Sequence, residues 1–181
     1  EAEFIAVMRR LWKGEVIQNY SGSLGQFKQL SLAPYINADI PVLYVGFGPK
    51  SLKNAGRIYD GAHLHTFMSD QALSDAVALY RQGEAAADKA PGSGKLWSVF
   101  ATACDVSDEK YLKFIVARLA TYLQIPGYGE LLAQVNNWDI EILHAFRAHP
   151  DVKSVGGAID SVASSQQLAK IDKLIPDSWR P

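Results

Sequence analysis

The stretch that decides the fold is Pro41-Val42-Leu43-Tyr44-Val45-Gly46-Phe47-Gly48-Pro49-Lys50-Ser51. Its first half is a compact apolar run, as a strand buried on both faces of a parallel sheet requires. Its second half turns into a helix, read over Leu52–Tyr59 and closed by Asp60-Gly61. The alternation then repeats. Ala62–Phe67 reads as a strand, and Gln71–Asp88 as a helix capped by Ser69 or Asp70. Trp97–Val106, rich in β-branched and aromatic residues, reads as a third strand, and Ser107-Asp108 opens a long helix over Glu109–Gln124. Strand and helix in strict alternation predict right-handed βαβ crossovers and a parallel α/β sheet. Two architectures fit: a Rossmann-type half, or a segment of a (β/α)8 TIM barrel. A whole barrel takes about 250 residues, so a chain of 181 would be roughly its second half.

Outward from this core, Phe4, Val7, Met8, Leu11 and Trp12 form one apolar stripe, predicting a first helix that ends near Gly14. Val16–Asn37 is irregular, with Tyr20-Ser21-Gly22 and Gln26–Leu30 reading as a short hairpin or excursion. After Ile125-Pro126-Gly127, shorter helices are expected over Gly129–Val135, Asp139–Ala148 and Ser165–Leu174, with a weakly patterned stretch over Ser154–Asp160. There is no internal repeat or low-complexity tract, so residues 1–181 read as a single domain. The chain opens directly on a helix without an initiator Met and stops just after a helical stretch. It therefore reads as an internal piece of a longer protein.

Composition narrows the function. Eighteen Lys+Arg against 19 Asp+Glu leave a formal charge of −1, without the basic excess that nucleic-acid binding calls for. The single cysteine, Cys104, rules out an internal disulfide framework and a cysteine-based zinc site. No uncharged apolar run reaches the roughly 18 residues of a membrane span, and no signal peptide is visible at Glu1-Ala2-Glu3. The expectation is a cytoplasmic protein with a small-molecule substrate, and with neither nucleic acid nor membrane as partner.

Val45–Ser51 is also the best candidate for chemistry, since it lies where a strand gives way to a helix, the place where α/β folds put their ligands. Glycine lets a ligand approach the backbone, and the free N–H groups of a helix start favour anions. The pattern is neither a P-loop nor Gly-x-Gly-x-x-Gly, because Lys53 stands in the third glycine's place. A cofactor contact and a plain tight turn both fit.

Leu32-Ala33-Pro34, then Ile40–Lys50, then Ala55-Gly56-Arg57-Ile58-Tyr59-Asp60-Gly61 together resemble the bacterial luciferase-like monooxygenase superfamily. The opening Leu11-Trp12-Lys13-Gly14 and the following Tyr20-Ser21-Gly22 are similar to it as well. Leu174-Ile175-Pro176-Asp177-Ser178-Trp179 resembles the stretch before the last barrel unit in members that use the deazaflavin coenzyme F420. The resemblance implies a (β/α)8 barrel and an oxidoreductase that transfers a hydride between F420, or alternatively FMN, and an organic substrate. It places Val45, Gly46, Phe47 and Gly48 against the cofactor and makes Lys50 a phosphate contact. It also implies a homo-oligomer, and puts most acid–base residues before Glu1, so no catalytic residue is assigned. A non-catalytic half-barrel that binds a ligand or cofactor, and a complete flavodoxin-like or Rossmann-like domain, are the alternatives.

Other residues are read against structural roles. His63 and His65 alternate on one strand face; a metal pair lacks a third ligand, and His65, nearer the strand's C-terminal end, is the candidate for the substrate pocket. Arg57 and Asp60 are expected to pair across a helix end. Cys104 is expected to be a buried, inert thiol, Trp97, Phe100 and Tyr111 to be core, and His144 and His149 to be at the surface. Ile125–Gly129 and Trp138 read as a lid or a subunit contact, with a packing role alone equally open.

Overall fold

The computed structural model describes residues 1–36 and 38–180. Asn37, the end of the expected irregular stretch, and Pro181 lie outside the described residues. The order begins with helix α1 (Ala2–Trp12) and an antiparallel hairpin of β1 (Ile17–Gly22) and β2 (Gly25–Leu30). Glu3 ties the two together, its carboxylate accepting from the Tyr20 hydroxyl at 2.6 Å and the Ser23 amide at 3.0 Å. Then follow β3 (Leu43–Val45), α2 (Pro49–Ile58), β4 (Gly61–Leu64), α3 (Asp70–Ala85) and β5 (Lys95–Ser98).

The three strands are parallel and strictly sequential, β3-β4-β5. This order separates the two candidate architectures. A doubly wound sheet reverses direction and so places helices on both faces. Successive right-handed crossovers that keep advancing in one direction put every helix on the same face. Here Ala62 and Leu64 of β4 pack in one cluster with Leu52 and Ala55 of α2 and Ala76 and Tyr80 of α3. The alternate residues point the other way, and the register sets Val45, His63 and Trp97 side by side. Val45 is 74% exposed and Trp97 55%. The sheet is wound as a barrel wall, with helices outside and an open inner face.

Local chemistry fixes each element. Pro49 opens α2, where its missing N–H costs nothing. Ser69 caps α3, its side chain accepting from the Ala72 amide at 3.2 Å. Helices α2 and α3 cross at Gly56 and Gly83, which lie within 3 Å of each other's backbone once a Cβ is placed on either. At the foot of the sheet, Asp60 accepts from Arg9 at 2.5 Å and from the Val42 amide at 2.8 Å, joining α1 to the start of β3. Glu84, 1% exposed, faces Arg81 at 2.8 Å and accepts from the Gly94 amide at 2.6 Å, holding the turn into β5. Burial pushes its carboxyl up, but the Arg81 guanidinium and the Gly94 and Gly92 amides outweigh this and hold it below the usual range.

The remaining chain is helical: α4 (Asp108–Tyr111), a π-helical segment (Leu112–Val116), α5 (Ala117–Gln124), α6 (Tyr128–Asn136), α7 (Ile140–Ala148), α8 (Pro150–Lys153), α9 (Ile159–Val162), α10 (Ser165–Asp172) and a 3-10 turn at Asp177–Trp179. These elements share a second core, in which Leu119, Leu123, Leu132, Leu143, Ile159 and Ile171 are almost fully buried. Trp138 stacks on Trp179, centroids 4.6 Å apart and rings 9° from parallel. The turn between α5 and α6 is clamped by Arg147, which donates to the carbonyls of Leu123 at 2.6 Å and Ile125 at 2.8 Å and forms a two-point pair with Glu130. Glu130 in turn accepts from the Gly127 amide at 2.7 Å, and the Arg147 hydrogen bond lowers its carboxyl to about 2.

Several sequence expectations are corrected. The third strand is Lys95–Ser98 and not Trp97–Val106, because a strand extends only as far as its neighbour and β4 ends at Leu64, the partner of Ser98. The residues beyond are irregular and fastened by one bond, the Ala101 amide donating to Thr66 Oγ1 at 3.1 Å. Cys104, on that segment, is exposed rather than buried. Trp97 and Phe100, expected in the core, are 55% and 63% exposed, Trp97 because it faces the open side of the sheet and Phe100 because it lies on the irregular stretch after β5. Asp60 pairs with Arg9, leaving Arg57 exposed. Of the two readings of Trp138, the packing one holds, since it stacks on Trp179 inside the helical layer. No described helix is long and apolar enough to cross a membrane.

Two outcomes are expected. Gly83→Ala forces a methyl into the Lys53 carbonyl, and overpacking of this kind costs about 1–3 kcal/mol; thermal unfolding should shift down by roughly 5 °C, and an unchanged Tm would refute the close crossing. Arg147→Met should lower Tm at pH 7. Because Glu130 is held low in the folded chain, its contribution is complete above the ordinary value of 4.5 and fades as pH falls towards about 2. The Tm gap between the wild type and Arg147→Met should therefore narrow across that window.

Candidate functional site

The inner face of the sheet is not open along its whole length. At the C-terminal ends of the strands, α5 and α6 reach part-way across it and border a half-open cavity of about 380 Å³. The floor is β3 and β4: Val45, Gly46 and Phe47 from the first, His63, His65 and Thr66 from the second. The roof is Tyr122 from the end of α5 and Tyr128 from the start of α6, and Val99 closes the side. Barrel enzymes place their sites at this end, where loops following several strands converge.

His65 sits at the centre of an aromatic box. Its ring lies 4.8 Å from Phe47, 4.7 Å from Tyr122 and 5.3 Å from Tyr128 between centroids, with the two tyrosines meeting it edge to face. Tyr122 and Tyr128 stack on each other at 5.3 Å, and Phe47 meets Tyr128 edge-on at 5.4 Å. Such pairs add about 0.5–1.5 kcal/mol beyond their buried area, so the box is a rigid wall. The Arg147–Glu130 clamp sits directly behind it, fixing the turn that carries both tyrosines.

Electrostatically the cavity is neutral. Burial lowers the His65 imidazole below its usual range, and the Thr66 backbone offsets this only in part. Its Nδ1 is buried and has no hydrogen-bond partner among the described residues. Burial raises the Tyr128 phenol to about 12, with Tyr122 adding to the effect. No Asp, Glu, Lys or Arg is among the lining residues. Among the described residues there is also no group of three His, Cys, Asp or Glu side chains that could hold a metal.

The sequence candidates divide. Val45, Gly46, Phe47 and His65 line the same cavity. Gly46 has φ +154°, a conformation that side chains rarely adopt, and a Cβ there would also crowd the Tyr44 hydroxyl at 2.6 Å, so glycine leaves the backbone bare at this point. Gly48 and Lys50 lie outside the cavity. Gly48 is the residue before α2, and a Cβ on it would meet Leu131 and Ser51 only at 3.7–3.8 Å. Lys50 is exposed on the first turn of α2. His63, judged the weaker histidine, is also in the wall. Tyr122 and Tyr128 were missed as site residues. Tyr128 did carry a signal, a tyrosine set between Gly127 and Gly129 in a segment read as a lid.

Comparison with known proteins fits this geometry. The F420-dependent tetrahydromethanopterin reductase of Methanopyrus kandleri superposes with a TM-score of 0.69 at 17% identity, over 98% of this chain and 47% of that one. An F420-dependent secondary alcohol dehydrogenase, solved with an F420–acetone adduct, superposes with a TM-score of 0.55 at 18% identity, over 79% and 45%. The fold is therefore that of the luciferase-like (β/α)8 barrel, and the chain spans about half the length of these structures. No curated protein matches the sequence. The family model for luciferase-like monooxygenases matches residues 2–163, and on that match the chain belongs to the luciferase-like monooxygenase family.

Proposed function

We propose that this chain forms the cofactor-side wall of an F420-dependent oxidoreductase that transfers a hydride between the deazaflavin and an organic substrate. The observation that carries the reading is the Val45-Gly46-Phe47 backbone, laid bare by glycine at the floor of an aromatic cavity at the strand ends. A flat, largely apolar ring has matching walls there. When bound, such a ring supplies the hydride chemistry itself. The residues of this chain position it and exclude water: Gly46 leaves room for close approach, Phe47 and Val45 give apolar contact, and His65 faces the substrate side. Gly48 and Lys50, beyond the cavity rim, border the part of the cofactor that leaves it, with Lys50 offering a positive charge to a phosphate. The choice of F420 rests on the two barrel structures that use it.

FMN is the second reading, favoured by the family's monooxygenase members. A cytoplasmic homo-oligomer remains part of the proposal.

The test is a fluorescence titration of the protein with F420 and with FMN. F420 should bind more tightly. Gly48→Leu should weaken it about tenfold, roughly 1.4 kcal/mol, with Tm unchanged because a Cβ at Gly48 meets only ordinary contacts. Lys50→Ala should weaken it less, and the loss should vanish at high salt. Tighter binding of FMN would reassign the cofactor, and an unaffected Gly48→Leu would remove the loop from the site.

A further inference from the structure

Asparagine is a poor guest in a buried helix, because its side chain competes for backbone hydrogen bonds and its amide is costly to bury unless those bonds are met. Asn136, the last residue of α6, is only 8% exposed. Its bonds are met, and two of the three leave its own helix. Nδ2 donates to the Leu132 and Phe67 carbonyls, each at 3.0 Å, and Oδ1 accepts from the Ser69 amide at 2.7 Å. Leu132 lies one turn back on α6, whereas Phe67 and Ser69 belong to the loop that follows β4. Among the described residues these are the only hydrogen bonds between α6 and that loop.

The loop needs such a hold. Phe67 has φ +61°, in the left-handed region, where a bulky residue with a β-carbon is strained. The turn buries the Phe67 ring, which meets Tyr122 edge to face at 6.1 Å. It follows directly on His65 and Thr66, which line the cavity, and it ends on Ser69, which caps α3. At the opposite end of α6 stands Tyr128, whose ring meets His65 and Phe47. Tyr128 and Asn136 are eight residues apart, about 12 Å of helix at 1.5 Å per residue. The helix is therefore fastened to the β4 side at both ends, by ring contacts at Tyr128 and by directional hydrogen bonds at Asn136.

We propose that Asn136 is a positioning residue: it holds the strained turn at Phe67 and fixes α6 against β4, and so sets the gap between the floor of the cavity at His65 and its roof at Tyr128. Asn136 lines no part of that cavity and acts through Phe67 and α6. Alanine at position 136 leaves the Phe67 carbonyl and the Ser69 amide unpaired in a buried place, which the backbone avoids. The turn recovers its hydrogen bonds only by relaxing, and the relaxation carries His65 and Thr66 with it. The inference rests on the proposed function only for what fills the gap.

The test compares Asn136→Ala with Gly83→Ala, whose strain lies at the α2–α3 crossing and away from the cavity. For both, thermal unfolding, the His65 ring signals in NMR and the affinity for F420 are measured, the last two at a temperature where both are folded. The His65 signals are identified by their loss in His65→Phe. Both variants should lose Tm. Only Asn136→Ala should move the His65 signals from the positions that the rings of Phe47, Tyr122 and Tyr128 impose on them, and only it should weaken F420, by about tenfold. Wild-type signals or wild-type affinity in Asn136→Ala, or equal changes in Gly83→Ala, would reduce Asn136 to a packing residue and overturn the inference. Should Asn136→Ala not fold, Asn136→Ser keeps a hydroxyl for one of the bonds and should show the same pattern with smaller changes. The wild type offers a check without mutation: the Ser69 amide should exchange its hydrogen as slowly as the buried amides of α6, and fast exchange would refute the tie. Failure of the wild type to bind F420 defeats the cofactor assignment alone, since the His65 signals still decide the role of Asn136. Equal F420 binding by the wild type and Asn136→Ala defeats the positioning role alone.

Discussion

A parallel sheet buries both of its faces, and the rest of this structure follows from how the chain meets that constraint. One face is covered by α2 and α3, which can pack so closely only because Gly56 and Gly83 meet at their crossing. The other face is covered only at one end. There Phe47, His65, Tyr122 and Tyr128 lock together, while Val45 at the cavity's open edge and Trp97 on the neighbouring strand remain in solvent. Sequential strands wound in one direction produce this two-sidedness, since every crossover helix falls on the same side. The cavity is thus a product of topology before any functional residue is considered: the strand ends, the inner face and the roof of helices can meet nowhere else.

The roof depends on a second interaction at a distance from the cavity. Arg147 gathers the carbonyls of Leu123 and Ile125 and the Glu130 carboxylate into one fan of hydrogen bonds. A guanidinium suits this task because its donors lie in a fixed plane and engage a carboxylate at two points. It fixes the turn whose two ends are Tyr122 and Tyr128, and so the α7 helix, which has no residue in the cavity, sets the shape of the cavity. Gly129 makes the arrangement possible, because a side chain there would occupy the position of the Arg147 guanidinium.

Local signals in the sequence were reliable where capping decides. Ser69 caps α3 where the pattern puts it, whereas α2 starts at Pro49, a turn before the expected Leu52, and the strand ending at Val45 is exposed on its inner face and not buried on both. The strand expected over Trp97–Val106 fails because propensity describes a residue's fitness for a sheet, whereas pairing needs a neighbour, and β4 stops at Leu64. The same segment misled on burial. Trp97, Phe100 and Cys104 are residues that usually go inside, but they fall on the uncovered side or on the irregular stretch after β5. Of the candidate site, the β3 end and His65 were legible from their place in the alternation of strand and helix. The tyrosines were not, since Tyr122 and Tyr128 reach the cavity through the α5–α6 turn, whose direction is set by the non-local Arg147.

The division between cavity and rim at Phe47 bears on how a ligand would be held. Phe47 lines the inner cavity, and together with Pro49 and Leu52 it also lines a groove of about 380 Å³ on the outer side, bordered by α3 and Val135. The loop at Phe47 thus separates the two, with neutral aromatic surface on one side and, past Gly48, the exposed Lys50 on the first turn of α2. A ligand that joins an uncharged ring to an anionic tail suits such a partition: the ring avoids desolvating a charge, and the tail keeps its hydration beside a cation and a helix start. A ligand charged throughout would have to bury an unpaired charge, and one without any charge would gain nothing from Lys50. The position of the glycines follows the same logic. At Gly46 the positive φ makes a side chain strained, while at Gly48 a side chain fits the fold and would obstruct only whatever crosses the rim.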